Sequence, residues 1–338
     1  MATLADVARR AGVSPATASR VINGSSKPVA DELRERVLRA VADLRYVPNA
    51  HAQLLARPQR SVVGVVVHDV SDPYFAEVTR GLQRVATDRG RLVIICNSYR
   101  NPERELEYVE MLRGQQVAAI VLAGSGYHDA DFTALLAEKL AAYEATGGRV
   151  AVIGRHEHPG DAVMPANEPG GRLLGAELCR LGHRRIGVIA GPRVLTTITD
   201  RLGGLRAALA DGGVPLPDGR IRYADFDRDG GARAAAELLD AVPGLTALVA
   251  LNDSMAVGAL TLLRSRGIRI PEEISVTGFD DMPVAADVTP ALTTVRLPLV
   301  ELGARAMTLA LDPATDRRRV EVLPAALVRR ASLGPAAG

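Results

Sequence analysis

The sequence predicts an N-terminal all-α helix-turn-helix domain followed by an α/β body of two doubly wound lobes. Three observations carry this. Residues 3–44 hold three short stretches of helical periodicity separated by a glycine and a Pro-containing loop. From residue 61 onward, β-branched runs alternate with helical stretches, the pattern of parallel sheets covered by helices. The charge is also divided. Residues 1–60 hold ten Lys and Arg against five Asp and Glu, a net +5, while the remainder nets −3. A basic head on a slightly acidic body points to a nucleic-acid-binding head and a body that binds something else.

Taken in order, Leu4, Val7, Ala8 and Ala11 recur at i, i+3, i+4 and i+7, on one helical face. Thr3 is placed to cap this helix with Asp6 three residues on, and Gly12 to end it. Ser14 caps a second helix with Pro15 at its first position. Ala18, Val21 and Ile22 turn inward, leaving Pro15, Ala16, Thr17, Ser19, Arg20 and Asn23 outward, a small, hydroxylated and basic face that suits a DNA major groove. A third helix is expected over 31–44, burying Leu33, Val37, Ala40, Val41 and Leu44. Residues 49–56 read as a two-turn helix too short to stand alone, followed by a linker to residue 60. In the body, strands are expected at 62–67, 92–96, 118–122, 150–153, 185–190, 247–251 and 274–278. Helices are expected at 76–89, 103–112, 171–181, 202–211, 233–239, 254–266 and 299–311. The domain boundaries read as 1–47, 48–60 and 61–338. The first lobe takes about 61–160 plus 293–320, and the second about 161–292 plus 321–332.

Composition excludes several classes. No run reaches 18 apolar residues, so no transmembrane helix is expected. The N-terminus is charged by residue 6 and lacks a signal-peptide core, so a cytoplasmic location is expected. Cys96 and Cys179 stand alone in apolar stretches and read as small buried hydrophobes. His156 and His158 flank Glu157, but without further ligands nearby they read as a surface loop, and no metal or cofactor is expected. No G-x-G-x-x-G, P-loop or G-x-S-x-G occurs, so an enzyme is not expected.

Several separated motifs, in order, make the chain similar to the lac repressor/galactose repressor family of transcription regulators. They are L-A-D-V-A-R-R-A-G-V-S-P-A-T-A-S-R-V-I-N-G and Y-V-P-N-A-H-A-Q-L-L in the head and linker. In the body they are D-P-Y-F-A-E-V-T-R-G-L, L-G-H-R-R-I-G-V-I-A-G-P, N-D-S-M-A-V-G-A-L, G-F-D-D and P-A-L-T-T-V. The resemblance implies a type I periplasmic-binding-protein-like body that closes on a small effector, and a homodimer on a palindromic double-stranded operator. It places Pro15, Ala16 and Arg20 at base-reading positions; of these only Arg20 can bond guanine bidentately. Thr3, Ser14, Thr17, Ser19 and Asn23 become candidate phosphate ligands, a role compatible with helix capping. Residues 49–56 resemble the family's hinge helix, with Asn49 contacting DNA, Ala52 allowing close approach of two hinges and Leu55 wedging into the minor groove. Packing of Leu55 against the body is the alternative.

In the body, the loops after the strands gather Asp69, Tyr74, Phe75, Ser125, Arg201, Phe226, Asn252 and Asp280, outside the carboxyl ends where open α/β sheets bind ligands. By resemblance Arg201, Asn252 and Asp280 bind the effector, while Tyr74, Phe75 and Phe226 line it or stack on it; Asp69 and Ser125 join on loop position. An interlobe ion pair for Arg201 and core packing for Phe226 are the alternatives. Leu195 stands where purine-responsive relatives carry Arg, which favours a sugar effector over a nucleoside. The C-terminus lacks a leucine heptad extension, so a dimer is expected rather than a tetramer. A free solute-binding protein, or a DNA binder with no effector, remains an alternative.

Overall fold

The computed structural model describes residues 2–23, 29–46, 62–156, 160–313, 315 and 317–337. The chain falls into two compact units, 1–61 and 62–338.

The first unit contains helices α1 (Leu4–Ala11), α2 (Pro15–Asn23) and α3 (Asp31–Asp43). Thr3 and Asp6 form the expected capping box, and Gly12 closes α1 at φ 61°, a left-handed angle that glycine tolerates without strain. Val7, Ala8, Ala11, Ala18, Val37 and Ala40 make a small core. Arg36 reaches back to the Gly12 carbonyl at 3.3 Å and Arg10 meets Asp43 at 3.2 Å, tying α3 to the turn and to α1.

The second unit holds two parallel sheets. The first has strand order β11-β5-β4-β3-β1-β2, with β1 Val62–Val67, β2 Leu92–Asn97, β3 Ala119–Ala123, β4 Arg149–Ile153, β5 Asp161–Pro165 and β11 Val320–Leu323. The second has order β7-β6-β8-β9, from Ile221–Tyr223, Ile186–Ala190, Ala247–Ala250 and Ser275–Thr277. A short antiparallel pair, β10 (Thr294–Arg296) with β12 (Ala326–Val328), lies where the chain passes between the lobes. Strands β3 and β8 are buried along their whole length, as their unbroken apolar sequences require.

The lobe boundary corrects the expectation. Asp161–Pro165 pairs in parallel with β4 and with β11, so both strands belong to the first lobe. The crossings fall about one strand later than Gly160 and residue 320. The strand D-A-V-M-P is short and ends in proline, so the break at H-E-H-P-G-D masks it. Two further readings change. Cys96 and Cys179 are free and only half-buried. His156 is half-buried, its Nε2 3.1 Å from the Gly124 carbonyl oxygen, rather than on a surface loop; His158 lies outside the described residues. No helix among the described residues is long and apolar enough to cross a membrane.

Three helix pairs approach closely enough to require glycine, Arg228–Ala241 on Asp253–Ser265 through Gly231 and Gly258 among them. A Cβ on Gly81 would sit 1.9 Å from the Val300 carbonyl, where Pro73–Asp88 packs on Leu299–Leu311. A Cβ on Gly171 would sit 2.2 Å from the Arg201 carbonyl, where Asn167–Arg180 packs on Thr196–Asp211. The second contact sets the depth at which Arg201 enters the cleft.

Candidate functional site

In the first unit, Pro15, Ala16 and Arg20 of α2 are exposed, with Thr17 and Ser19 half-buried. Part of the hydroxyl set is already engaged. The Ser14 hydroxyl accepts the Thr17 N–H at 3.1 Å and lies 2.9 Å from the Thr17 hydroxyl. The Thr3 hydroxyl donates to Asp6 at 2.7 Å. The helix N-terminus is thus capped by hydroxyls that also face outward, while Arg20 extends from the next turn. Asn23 ends α2, and its side chain is outside the described set, as are Asn49, Ala52 and Leu55.

In the second unit, a cleft of about 390 Å³, part of it open solvent, lies between the lobes at the carboxyl ends of the strands. Seven of the eight expected residues line it: Tyr74, Phe75, Ser125, Arg201, Phe226, Asn252 and Asp280. Asp69 does not. Its Oδ1 accepts the Ser71 N–H at 2.9 Å and hydroxyl at 2.7 Å, shaping the loop beyond the cleft mouth.

Arg201 is the fixed point of the site. It is 2% exposed. Its Nε donates to Asn167 Oδ1 at 2.9 Å, Nη1 to the Leu251 carbonyl at 2.6 Å and Nη2 to Asp280 Oδ1 at 2.7 Å. Its guanidinium carbon lies 4.1 Å above the centroid of Phe279, which is wholly buried. Phe279 therefore supports Arg201 and does not line the cleft. The ion pair is real but lies within the second lobe, not between lobes. Burial raises the Asp280 carboxyl above the carboxylate range, and Arg201 pulls it back toward the ionised form.

Asp280 and Asp281 both take left-handed backbone angles, φ 110° and 58°. Buried Asp253 holds this turn: its Oδ2 accepts the Met282 N–H at 2.7 Å and its Oδ1 the Thr294 hydroxyl at 2.6 Å. Asn252 caps the helix that follows β8, its Oδ1 accepting the Met255 N–H at 2.8 Å and its Nδ2 donating weakly to the Phe226 carbonyl at 3.5 Å.

Four lining residues were not among the expected eight: His68, Asp72, Arg100 and Thr197. Three lie in loops or caps the same strand-end rule covers; Arg100 follows β2, whose end was not among those read. His68 is held neutral, pushed down to about 3 by burial and the nearby Arg100. Asp72 caps Pro73–Asp88 through the Tyr74 N–H at 3.0 Å, and burial raises its carboxyl.

The lobes meet above the cleft. His128 N donates to the Val194 carbonyl at 2.7 Å and Thr196 N to the Gly126 carbonyl at 3.0 Å. Ser125 bonds Thr197 at 2.5 Å, and Arg155 forks onto Asp200 at 2.8 and 3.3 Å. No cluster of potential metal ligands occurs among the described residues.

Comparison with known proteins agrees with this division. The pattern described as "Bacterial regulatory proteins, lacI family" matches residues 3–49, and that of "Periplasmic binding protein-like domain" matches residues 176–333. The HTH-type transcriptional regulator GalR of Escherichia coli (strain K12) is 37% identical, over 98% of this chain and 96% of its own. The crystal structure of the lac repressor dimer bound to operator and the anti-inducer ONPF superposes with a TM-score of 0.84 at 28% identity, covering 98% of each chain. The transcriptional regulator CelR–cellobiose complex gives a TM-score of 0.72 at 33% identity, over 98% of this chain and all of the other.

Proposed function

Since this chain belongs to the lacI family of bacterial regulatory proteins, a family of DNA-binding transcriptional regulators rather than enzymes, we propose that it is a sugar-responsive repressor. It binds a palindromic operator as a homodimer. The effector is held by Arg201, Asn252 and Asp280 against Phe226. One observation carries the effector reading: the polar side chains of both lobes converge on the cleft beside the Phe226 ring and a buried Arg–Asp pair, the donor and acceptor set that fixes polyhydroxyl ligands. Leu195, 1% exposed and paired with Tyr127 in an isolated bridge, puts no cation into the cleft for a purine to meet.

At the operator, Arg20 reads a base while Thr3, Ser14, Thr17, Ser19 and Asn23 meet phosphates. Asn49, Ala52 and Leu55 serve as the hinge, on the strength of the family resemblance. The effector acts by biasing how the two lobes meet, and through them the paired hinges. Exposed Leu92 and Ile94 on the edge strand β2 support burial of that face by a second copy. A protein acting on DNA in this way works in the cytoplasm.

A thermal-shift screen of sugars and nucleosides tests the reading, because a ligand that binds only the folded state raises its melting temperature. A sugar that raises it and also shifts operator binding is the expected result. A nucleoside doing so, with no sugar active, would overturn the effector assignment.

A further inference from the structure

Beyond the inner cleft lies a second, larger chamber of about 1140 Å³, part of it open solvent. The two share Asp72, Arg100 and Phe226. Arg100 stands at their boundary. It follows β2 on a backbone with two consecutive left-handed residues, Tyr99 at φ 53° and Arg100 at 57°. Its Nη2 lies 3.5 Å from Asp72 Oδ2, and its guanidinium carbon sits 5.3 Å from the Phe226 ring centroid on the opposite lobe. Its Nε is buried and has no hydrogen-bond partner among the described residues. A donor left unmet in such a place is costly unless something else fills the role. The Phe226 ring rests on Gly191, where a Cβ would come within 2.6 Å of Cζ, so the ring's position is fixed by backbone.

The outer chamber differs chemically from the inner one. Asp69, Asp225 and Asp227 line it with Arg228. Asp227 commits Oδ1 to the Gly230 N–H, and Asp225 meets Arg233 only at 3.4 Å. Carboxylates accept hydroxyl hydrogens and repel phosphate.

We propose that the effector is a neutral two-ring saccharide, with one ring beside Arg201, Asn252 and Asp280 and the second in the outer chamber, crossing beneath Arg100. The proposal rests on the sugar-effector reading above and names the ligand class. Arg100 Nε then donates to the oxygen atoms at the junction of the rings, and Phe226 packs against the apolar face of a ring.

The test is isothermal titration of the full-length chain with lactose, melibiose, cellobiose and maltose against galactose, glucose and glucose 6-phosphate. At least one disaccharide binds tenfold or more tightly than either of its component sugars, glucose 6-phosphate does not bind detectably, and Asp225→Ala narrows the disaccharide-to-monosaccharide ratio at least threefold. Asp225 is exposed, so this variant retains the fold. A monosaccharide binding as tightly as every disaccharide, or a ratio untouched by Asp225→Ala, overturns the two-ring inference while leaving the sugar reading standing. Binding of nucleosides alone overturns both.

Discussion

Replacing Arg201 by alanine removes a buried cation whose hydrogen-bonding partners are all buried. Asn167 Oδ1, the Leu251 carbonyl and Asp280 each lose a bond, at 2.9, 2.6 and 2.7 Å, and the Phe279 ring loses its cover. Asp280 is 3% exposed, so its charge cannot turn to water. Stripping one partner from a buried ion pair costs about 3–5 kcal/mol. At roughly 2–4 °C per kcal/mol for a body of this size, the melting temperature should fall by roughly 6–20 °C. The loss also carries a sign with pH. Burial already raises the Asp280 carboxyl, and without Arg201 it rises further. A carboxyl raised on folding favours the folded state when protonated, so its contribution is present below the unfolded pKa of about 4 and is lost as pH rises through the folded value. Arg201→Ala should therefore be less destabilised at pH 5 than at pH 8, and Asp280→Asn added to it should restore part of the loss at pH 8. Thermal melts of the wild type, the single and the double variant at both pH values read this directly. Equal destabilisation at the two pH values with no rescue would refute the view that Arg201 acts by holding a buried carboxylate.

Three further outcomes follow. Asp253, buried and pushed up to about 8, should make the wild type lose stability relative to Asp253→Asn as pH rises from about 4 to 8, checked by paired melts across that range. Phe226→Ala should weaken effector binding about tenfold or more while leaving operator affinity without effector within twofold, read by titration and by fluorescence anisotropy. Arg20→Ala should cost about 1–3 kcal/mol in operator binding and relax base preference at one position of each half-site, read by selection from a randomised duplex pool; uniform weakening across all sequences would make Arg20 a phosphate contact instead.

Much of the fold is legible because its signals are local. The capping box at Thr3 and Asp6, the stop at Gly12 and the β-branched run at 62–67 each need only neighbouring residues to be read. The helix starts in the body are less legible for a functional reason. Asn167 and Thr196–Thr197 precede the apolar periodicity of their helices, because their polar side chains serve the site, Asn167 by holding Arg201 and Thr197 by lining the cleft. Expected starts at residues 171 and 202 therefore fall one to two turns late. The site itself was readable through strand ends, which brought seven lining residues into view. Asp69 resembled them in position, but loop geometry turns its carboxylate onto Ser71. Arg100 was missed because its role depends on a neighbour 126 positions away, Phe226, across the cleft. Likewise, Phe279 and Arg201 stack only once two distant helices and a left-handed turn bring them together.

The proposed function requires that a saccharide in the body and the operator on the head be coupled through one chain. The most direct test is fluorescence anisotropy of full-length protein on an operator chosen from a randomised pool, with and without the sugar that most raises the melting temperature. Saturating sugar should shift operator affinity at least tenfold, and operator DNA should shift sugar affinity by the same factor, since coupling between two sites is reciprocal. A sugar that stabilises the body yet leaves operator affinity unchanged would contradict it.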